Sequence, residues 1–318
     1  MTRKRATIIY NPMSGRPARR AENVRQMAGM LGECGFDIEA RATTGPAAAT
    51  LLATEAVAAG ADLIISYGGD GTLNEVIQGM AGSSTALAVW PGGTSNVIAR
   101  DLSVPLNISQ LAGIIASGKT RRIALGLAKT GVGDWELGVG CAEPNQPSNP
   151  ASQPLSRYFL MMAGIGLDAS IARRVNPRIK RRTGEVAYWL SGIKHLFLWQ
   201  PEPFVVEVDG RKYESTFALV GNGKGYGGGM TITPGAKLEE PWFEVYILPP
   251  QPNNFAYLRV LSTFMRGKPD LAGAQLVRAT HVRANSAHEP WVEADGEIIA
   301  PRPMSFEIVP DALSIIVP

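Results

Sequence analysis

The sequence holds 318 residues, 45% of them apolar and 19% charged, with a net charge of +3. This suits one large domain or two of ordinary size with a real core, and it excludes a disordered chain. The charge is too small to argue for nucleic-acid binding, two cysteines (Cys34 and Cys141) give no disulfide framework, and no apolar run approaches the length of a membrane span.

The basic start, Met1 to Arg5, runs straight into a strand-like segment and Pro12, so no signal-peptide core is expected and a reducing cytoplasm fits. Residues 6–10 (Ala-Thr-Ile-Ile-Tyr) read as a buried strand. Residues 17–33 read as a helix, with Val24, Met27, Met30 and Leu31 on one face and Gly35 as its stop. Phe36–Ala42 is a short strand, Ala47–Ala59 an alanine-rich helix and Asp62–Tyr67 an apolar strand. Thr72–Met80 is helical, Ala86–Trp90 a strand, and Ser95–Asp101 and Asn107–Ser117 are helices. This alternation predicts a parallel, doubly wound α/β domain over residues 1–122.

Beyond residue 120 the predicted strands outnumber the helices: Phe204–Val208, Thr216–Val220, Phe243–Leu248, Val292–Ala294 and Ser314–Val317. Asp209-Gly210 and Asp295-Gly296 are hairpin-type dipeptides. The pattern predicts an antiparallel β-sandwich domain over residues 123–304, with the strand at 305–318 packing back on the first domain. Residues 142–155, rich in Pro, Asn and Ser, read as a surface loop.

Each of three strands in the first domain ends in a polar, glycine-rich turn: Asn11-Pro12-Met13-Ser14-Gly15, Gly68-Gly69-Asp70-Gly71-Thr72, and Pro91-Gly92-Gly93-Thr94-Ser95-Asn96. In a parallel sheet all three open on the carboxyl edge, where ligands bind. Glycines let backbone N–H groups approach phosphate oxygens, and a helix beginning at the turn adds its positive end. Ser14, Thr72, Thr94 and Ser95 add hydroxyl donors. Asp70 in such a place would be repelled by phosphate unless a Mg²⁺ or a transferred proton lay between them, which marks it as a metal or proton-relay group. One such turn alone is more often merely tight; three on one edge point to a polyphosphate site. Neither a Walker-type P-loop nor a Gly-x-Gly-x-x-Gly fingerprint is present.

These turns, with Leu73-Asn74-Glu75-Val76 after the second and Val97-Ile98-Ala99-Arg100 after the third, resemble the diacylglycerol-kinase catalytic-domain family, which includes bacterial diacylglycerol-kinase-like and sphingosine-kinase-like lipid kinases. The likeness continues through Ala163-Gly164-Ile165-Gly166-Leu167-Asp168-Ala169, Arg182-Thr183-Gly184-Glu185-Val186-Ala187-Tyr188, Val292-Glu293-Ala294-Asp295-Gly296-Glu297 and Pro310-Asp311-Ala312-Leu313, and so spans nearly the whole chain. It implies a kinase that moves the γ-phosphate of ATP, with Mg²⁺, to the hydroxyl of a membrane lipid, diacylglycerol first. Asn11, Ser14, Gly68, Gly69, Gly71, Thr72 and Thr94 would line the ATP site, with Glu75 and Asn96 supporting that wall. Asp70 would join an aspartate–water–Mg²⁺ network that Asp168 extends toward the acceptor; Glu297 would be the general base and Asp295 its Mg²⁺-linked partner. Without the resemblance, Asp295-Gly296-Glu297 reads as an ordinary hairpin.

The chain departs from the family pattern at Pro234–Glu244, where an acidic stretch forms part of a structural Mg²⁺ site in some members; here only Glu239, Glu240 or Glu244 could substitute. Arg173, Arg174, Arg178, Lys180, Arg181 and Arg182 precede the aromatic, apolar run Tyr188–Trp199. That pairing suits peripheral contact with the inner membrane surface, and equally a solvated loop before a core helix. Other acceptor lipids (a sphingoid base, ceramide, phosphatidylglycerol), an NAD-kinase-like enzyme and a non-catalytic nucleotide- or lipid-binding protein are the alternatives, and a homodimer stays open.

Overall fold

The computed structural model describes residues 3–14, 17–130, 156–166, 201–226, 229–266, 273–285, 291–301 and 304–318. Its first half runs β1 (Lys4–Tyr10), α1 (Pro17–Glu33), β2 (Phe36–Ala42), α2 (Ala48–Ala58), β3 (Leu63–Gly68), α3 (Asp70–Met80), β4 (Ala86–Pro91), α4 (Val97–Asp101), α5 (Ile108–Ser117) and β5 (Thr120–Thr130). There follow β6 (Ser156–Phe159), β7 (Met162–Gly166), β8 (Phe204–Val208), β9 (Arg211–Ser215), β10 (Phe217–Gly221), β11 (Gly225–Tyr226), β12 (Met230–Thr231) and β13 (Phe243–Leu248). The last elements are α6 (Asn254–Met265), β14 (Gln275–Ala279), β15 (His281–Asn285), β16 (Trp291–Ala294), β17 (Glu297–Pro301) and β18 (Met304–Ile316).

The first four strands are parallel, in the order β2-β1-β3-β4. β3 is buried along its whole length, as expected of a strand covered on both faces, and so its sequence is a continuous apolar run rather than an alternating one. Helix ends follow local chemistry. Asn107 caps α5 by accepting from the Gln110 N–H at 3.0 Å, and Gly118 ends it with φ 66°. The chain order reverses between β1 and β3, so a crevice opens outside their carboxyl ends, where open α/β sheets hold ligands. Asn11 follows β1 and Gly69 follows β3, so the first two glycine turns stand at that point.

The second half is antiparallel. One sheet runs β14-β13-β10-β7-β16-β17 and packs on the β8–β15–β18 part of the larger sheet. Phe159, Ile165, Val206, Ala218, Phe243, Val282 and Phe306 fill the space between them, each buried. Gly126 on β5 allows the Phe159 ring to lie directly against its backbone, where any Cβ would collide.

β18 joins the two halves. One edge pairs antiparallel with β5 from Met304 opposite Thr130 to Ile316 opposite Thr120. The other edge pairs with β15 over 304–307, then runs parallel to β4 through Ser314–Ala86 and Ile315–Leu87. The change of partner falls at an irregularity between Val309 and Leu313, with Asp311 at φ 50°. The bulge re-aims one strand from one sheet environment to another.

Two local readings are refined. α3 begins at Asp70, not Thr72: Gly69 is extended (φ −92°, ψ −174°) and serves as the cap. Asp70 is therefore the first helical residue, where a carboxylate meets the positive end of the helix dipole. α4 begins at Val97 because Asn96 takes a left-handed conformation, φ 46°. No described helix is long and apolar enough to cross a membrane.

Candidate functional site

The three glycine turns meet. The Asn11 N–H donates to the Tyr67 carbonyl at 3.2 Å, bringing the first turn beside the end of β3. The turn closes on itself through Met13 N–H to Asn11 Oδ1 (2.9 Å) and Ser14 N–H to Asn11 O (3.2 Å). Ser14 Oγ then donates to the Gly92 carbonyl at 3.2 Å, and the Gly92 N–H donates to Gly68 O at 2.7 Å. Arg20 reaches back from α1, giving Nε–H to Ser14 O at 2.8 Å and Nη2–H to Gly92 O. Its guanidinium lies 3.9 Å from the Tyr67 ring centroid, and Tyr67 stacks on Trp90 at 3.7 Å. Burial lowers the pKa of Arg20 from its ordinary value. One cation thus ties the first turn to the third.

The second and third turns cross at their glycines. A Cβ on Gly93 would stand 2.6 Å from Gly69 Cα, and one on Gly68 would stand 2.5 Å from the Thr72 side chain. Asn96 locks the third turn, accepting from the Gly93 N–H and donating to the Gly93 carbonyl, both at 2.9 Å. Thr72 is buried, whereas Gly71 and Thr94 are exposed. The Glu75 carboxylate accepts from the Ala47 and Ala49 N–H groups at 3.1 and 3.0 Å, so it caps α2 and braces α3 from behind the turn.

The second half of the chain delivers two carboxylates to this place. Asp295 and Gly296 form the two-residue turn between β16 and β17 (φ 49° and 82°). Asp209-Gly210 makes the same turn between β8 and β9 (φ 44° and 84°), where Asp209 only holds Thr280 and His281 at the surface. Asp295 instead points inward. Its Oδ2 accepts from Leu160 N–H (2.6 Å) and Asn74 Nδ2 (3.0 Å); its Oδ1 accepts from Met161 and Met162 N–H at 2.9 and 3.1 Å. Burial raises its pKa, and these four donors pull it back. The buried Glu293 accepts from the Gly296 N–H at 2.7 Å and closes the turn.

Glu297 then comes to the N-terminus of α3. Its Oε1 lies 3.9 Å from where a Gly71 Cβ would stand. Its Oε2 pairs with Arg157 on β6, and Arg157 also donates to Asn74 Oδ1 at 2.5 Å. Asp70 accepts from the Val97 N–H at 2.8 Å. Its carboxyl is raised chiefly by burial and further by the charge of Asp295, while the Val97 and Asn96 N–H groups lower it. The structure therefore brings together Asn11, Ser14, Gly68, Gly69, Asp70, Gly71, Thr72, Asn96, Asp295 and Glu297. Asp168, the basic run 173–182 and the segment 188–199 lie outside the described residues.

Arg157, Asn74 and Arg20 are site residues that sequence reasoning did not assign. Asn74 stands one helical turn after Asp70, so the i, i+4 spacing was available as a signal. Arg157 and Arg20 gave none, because what marks them is contact across 140 and 72 residues.

The donor set tests the expected Mg²⁺. Among the described residues no three His, Cys, Asp or Glu side chains converge as a metal cage. Asp295 has two N–H donors on each oxygen, which leaves no room for direct ligation. Asp70 has capacity for an ion that is also held by phosphate oxygens. The acidic segment fits no structural ion: Glu239 pairs with Arg121, Glu240 accepts from Trp242 Nε1 at 3.2 Å, and Glu244 accepts from the Gly235 N–H at 2.7 Å.

Losing the Asp295 carboxylate would strand three buried N–H groups, at about 1–3 kcal/mol each. Asp295→Ala is expected to melt roughly 5–15 °C lower than wild type, and Asp295→Asn, which keeps one acceptor and tolerates the left-handed turn, to fall between them. Differential scanning calorimetry reads this; an unchanged melting temperature for the alanine variant would contradict the four-donor arrangement.

Residues 5–128 match the diacylglycerol kinase catalytic domain model, and residues 161–317 match the YegS C-terminal NAD kinase beta sandwich-like domain model. The chain is 30% identical over 301 residues to a diacylglycerol kinase of Bacillus subtilis, covering 92% of this chain and 90% of that one. It is 27% identical over 322 residues to a diacylglycerol kinase of Mycobacterium tuberculosis (99% and 95% covered). A crystal structure of a diacylglycerol kinase from Bacillus anthracis superposes with a TM-score of 0.74 at 24% identity, covering 100% of this chain and 98% of that one.

Proposed function

Since the chain belongs to the diacylglycerol kinase family and is a kinase, we propose that it transfers the γ-phosphate of ATP to the hydroxyl of a membrane lipid, with diacylglycerol the first acceptor and phosphatidic acid the product. One observation carries this reading. The crossed Gly69 and Gly93 turns stand at the start of α3, whose opening N–H groups suit a phosphate, and Glu297 reaches that same helix start from the other half of the chain.

Phosphoryl transfer needs positioning, charge neutralisation and a group to take the hydroxyl proton. The N–H groups opening α3 and the exposed Thr94 hydroxyl suit the first need, while Ser14, its proton given to the Gly92 carbonyl, holds the first turn against the third. Asp70 is the residue that would hold Mg²⁺ against the phosphates, and the ion would supply charge neutralisation when bound. Glu297, held by Arg157 through Oε2, is the carboxylate placed at the helix start to take the acceptor's proton. Asp295 holds the hairpin that presents Glu297 and takes no direct part. The acceptor lies in a bilayer, so the protein works at its surface.

The test is transfer of labelled γ-phosphate from Mg·ATP to a panel of lipids in mixed micelles: diacylglycerol, a sphingoid base, ceramide and phosphatidylglycerol. Labelled phosphatidic acid is the expected product. Label in another lipid would keep the lipid kinase and replace the acceptor. No labelled lipid in the panel, with ATP consumed only on adding a soluble alcohol, would overturn the lipid reading.

A further inference from the structure

The described residues around the start of α3 are crowded with carboxylates. Asp70 opens the helix, Asp295 and Glu297 arrive on the β16–β17 hairpin, and Glu293 closes the hairpin from behind. A nucleotide triphosphate brings more negative charge to the same place. Arg157, from β6, is the described cation in hydrogen-bond contact with this group. It does not stand loose among them. Nη2 alone touches both Asn74 Oδ1 and Glu297 Oε2, and Asn74 in turn donates to Asp295 Oδ2 at 3.0 Å. The backbone of β6 is fixed immediately after Arg157. The Tyr158 N–H donates to Gln78 Oε1 and its carbonyl accepts from Gln78 Nε2, both at 2.9 Å, and the Leu160 N–H is held by Asp295.

We infer that Arg157 is a positioning residue of phosphoryl transfer: it bridges Asn74 and Glu297, fixes which oxygen of Glu297 faces the start of α3, and supplies the positive charge that lets this carboxylate stand beside a polyphosphate. Glu297 lies on a two-residue hairpin and is partly exposed (41% of its side chain), so losing the Arg157 contact would loosen its rotamer. A guanidinium anchored on a helix residue restricts that freedom, and the shorter lysine side chain would not reach both partners as well. The inference rests on Glu297 being the base proposed above.

A double-mutant cycle separates the two ideas. Arg157→Met, Arg157→Lys, Glu297→Gln and the Arg157→Met/Glu297→Gln pair are assayed with Mg·ATP and diacylglycerol micelles, reading product and ADP together. Arg157→Met is expected to lose about 10²-fold in kcat with KM for ATP within about threefold, and Arg157→Lys to recover part of that loss. Because Arg157 acts through Glu297, the double variant should be no slower than Glu297→Gln alone. Multiplied losses in the double variant, or a change confined to KM, would overturn the inference. So would full activity in Arg157→Met. If Glu297→Gln itself stays active, the base assignment fails instead. Melting temperatures are read in parallel: should Arg157→Met unfold, the lysine variant, with and without Glu297→Gln, completes the same cycle.

Discussion

Glu297→Gln is expected to lower kcat for lipid phosphorylation by about 10³-fold, in the range that removing a general base commonly costs. The substitution keeps the size of the side chain and an oxygen to accept from Arg157, so neither the β16–β17 hairpin nor the Asp295 contacts should move. KM for ATP should stay close to wild type, since the glycine turns lie on the other half of the chain. Product formation under single-turnover conditions, with a calorimetric scan of the same sample, reads all of this. Activity within tenfold of wild type in a normally folded variant would remove Glu297 from the proton transfer. The hydroxyl would then need another acceptor, and Asp70, in the first turn of α3, is the candidate.

The second large effect belongs to a residue with no side chain. Gly93→Ala places a methyl group 2.6 Å from Gly69 Cα and 3.2 Å from Asn96 Oδ1. The first obstacle is backbone and cannot swing aside. Either the third turn separates from the second by about an ångström, or Asn96 lets go of Gly93. Both outcomes misplace the phosphates relative to Glu297, and an error of that size can cost about 10² in rate. Gly93→Ala is expected to raise KM for ATP at least tenfold and to cut kcat by about 10²-fold while the sheet still forms. Gly32→Ala, on α1 with nothing within 4 Å, serves as the control for glycine replacement as such. A Gly93 variant that bound ATP normally would show that the turns need not touch.

The alternating strands and helices of the first half were legible because the signals are local. Buried parallel strands such as Leu63–Gly68 are unbroken apolar runs, and glycines mark where they stop. The same glycines hid the start of α3. Gly69-Asp70-Gly71 reads as loop by propensity, yet an N-cap and first turn tolerate such residues, and the helix begins inside the motif. The two Asp-Gly turns teach the opposite lesson. Their backbone angles are nearly equal, and nothing within several residues tells Asp209 from Asp295. The difference is made by Asn74 and by three N–H groups at 160–162, more than 130 residues away. Only the resemblance singled out Asp295; the four donors that hold it came from geometry. Arg157 was beyond reach for the same reason. The carboxylates at 239, 240 and 244 looked interchangeable in sequence; each has its own separate partner.

The position of β18 has a bearing on how this chain acquires its structure in time. The edge of β4 stays unpaired until residues 314 and 315 arrive, some 228 positions after Ala86 and Leu87 in the chain. Pairings of such sequence separation close slowly, and an open edge on a parallel sheet is a template for the wrong neighbour. The first half therefore cannot complete itself early and wait for the other. Its folding is gated by the sandwich half, so a polypeptide that stalls midway presents a sticky open edge rather than a finished α/β unit.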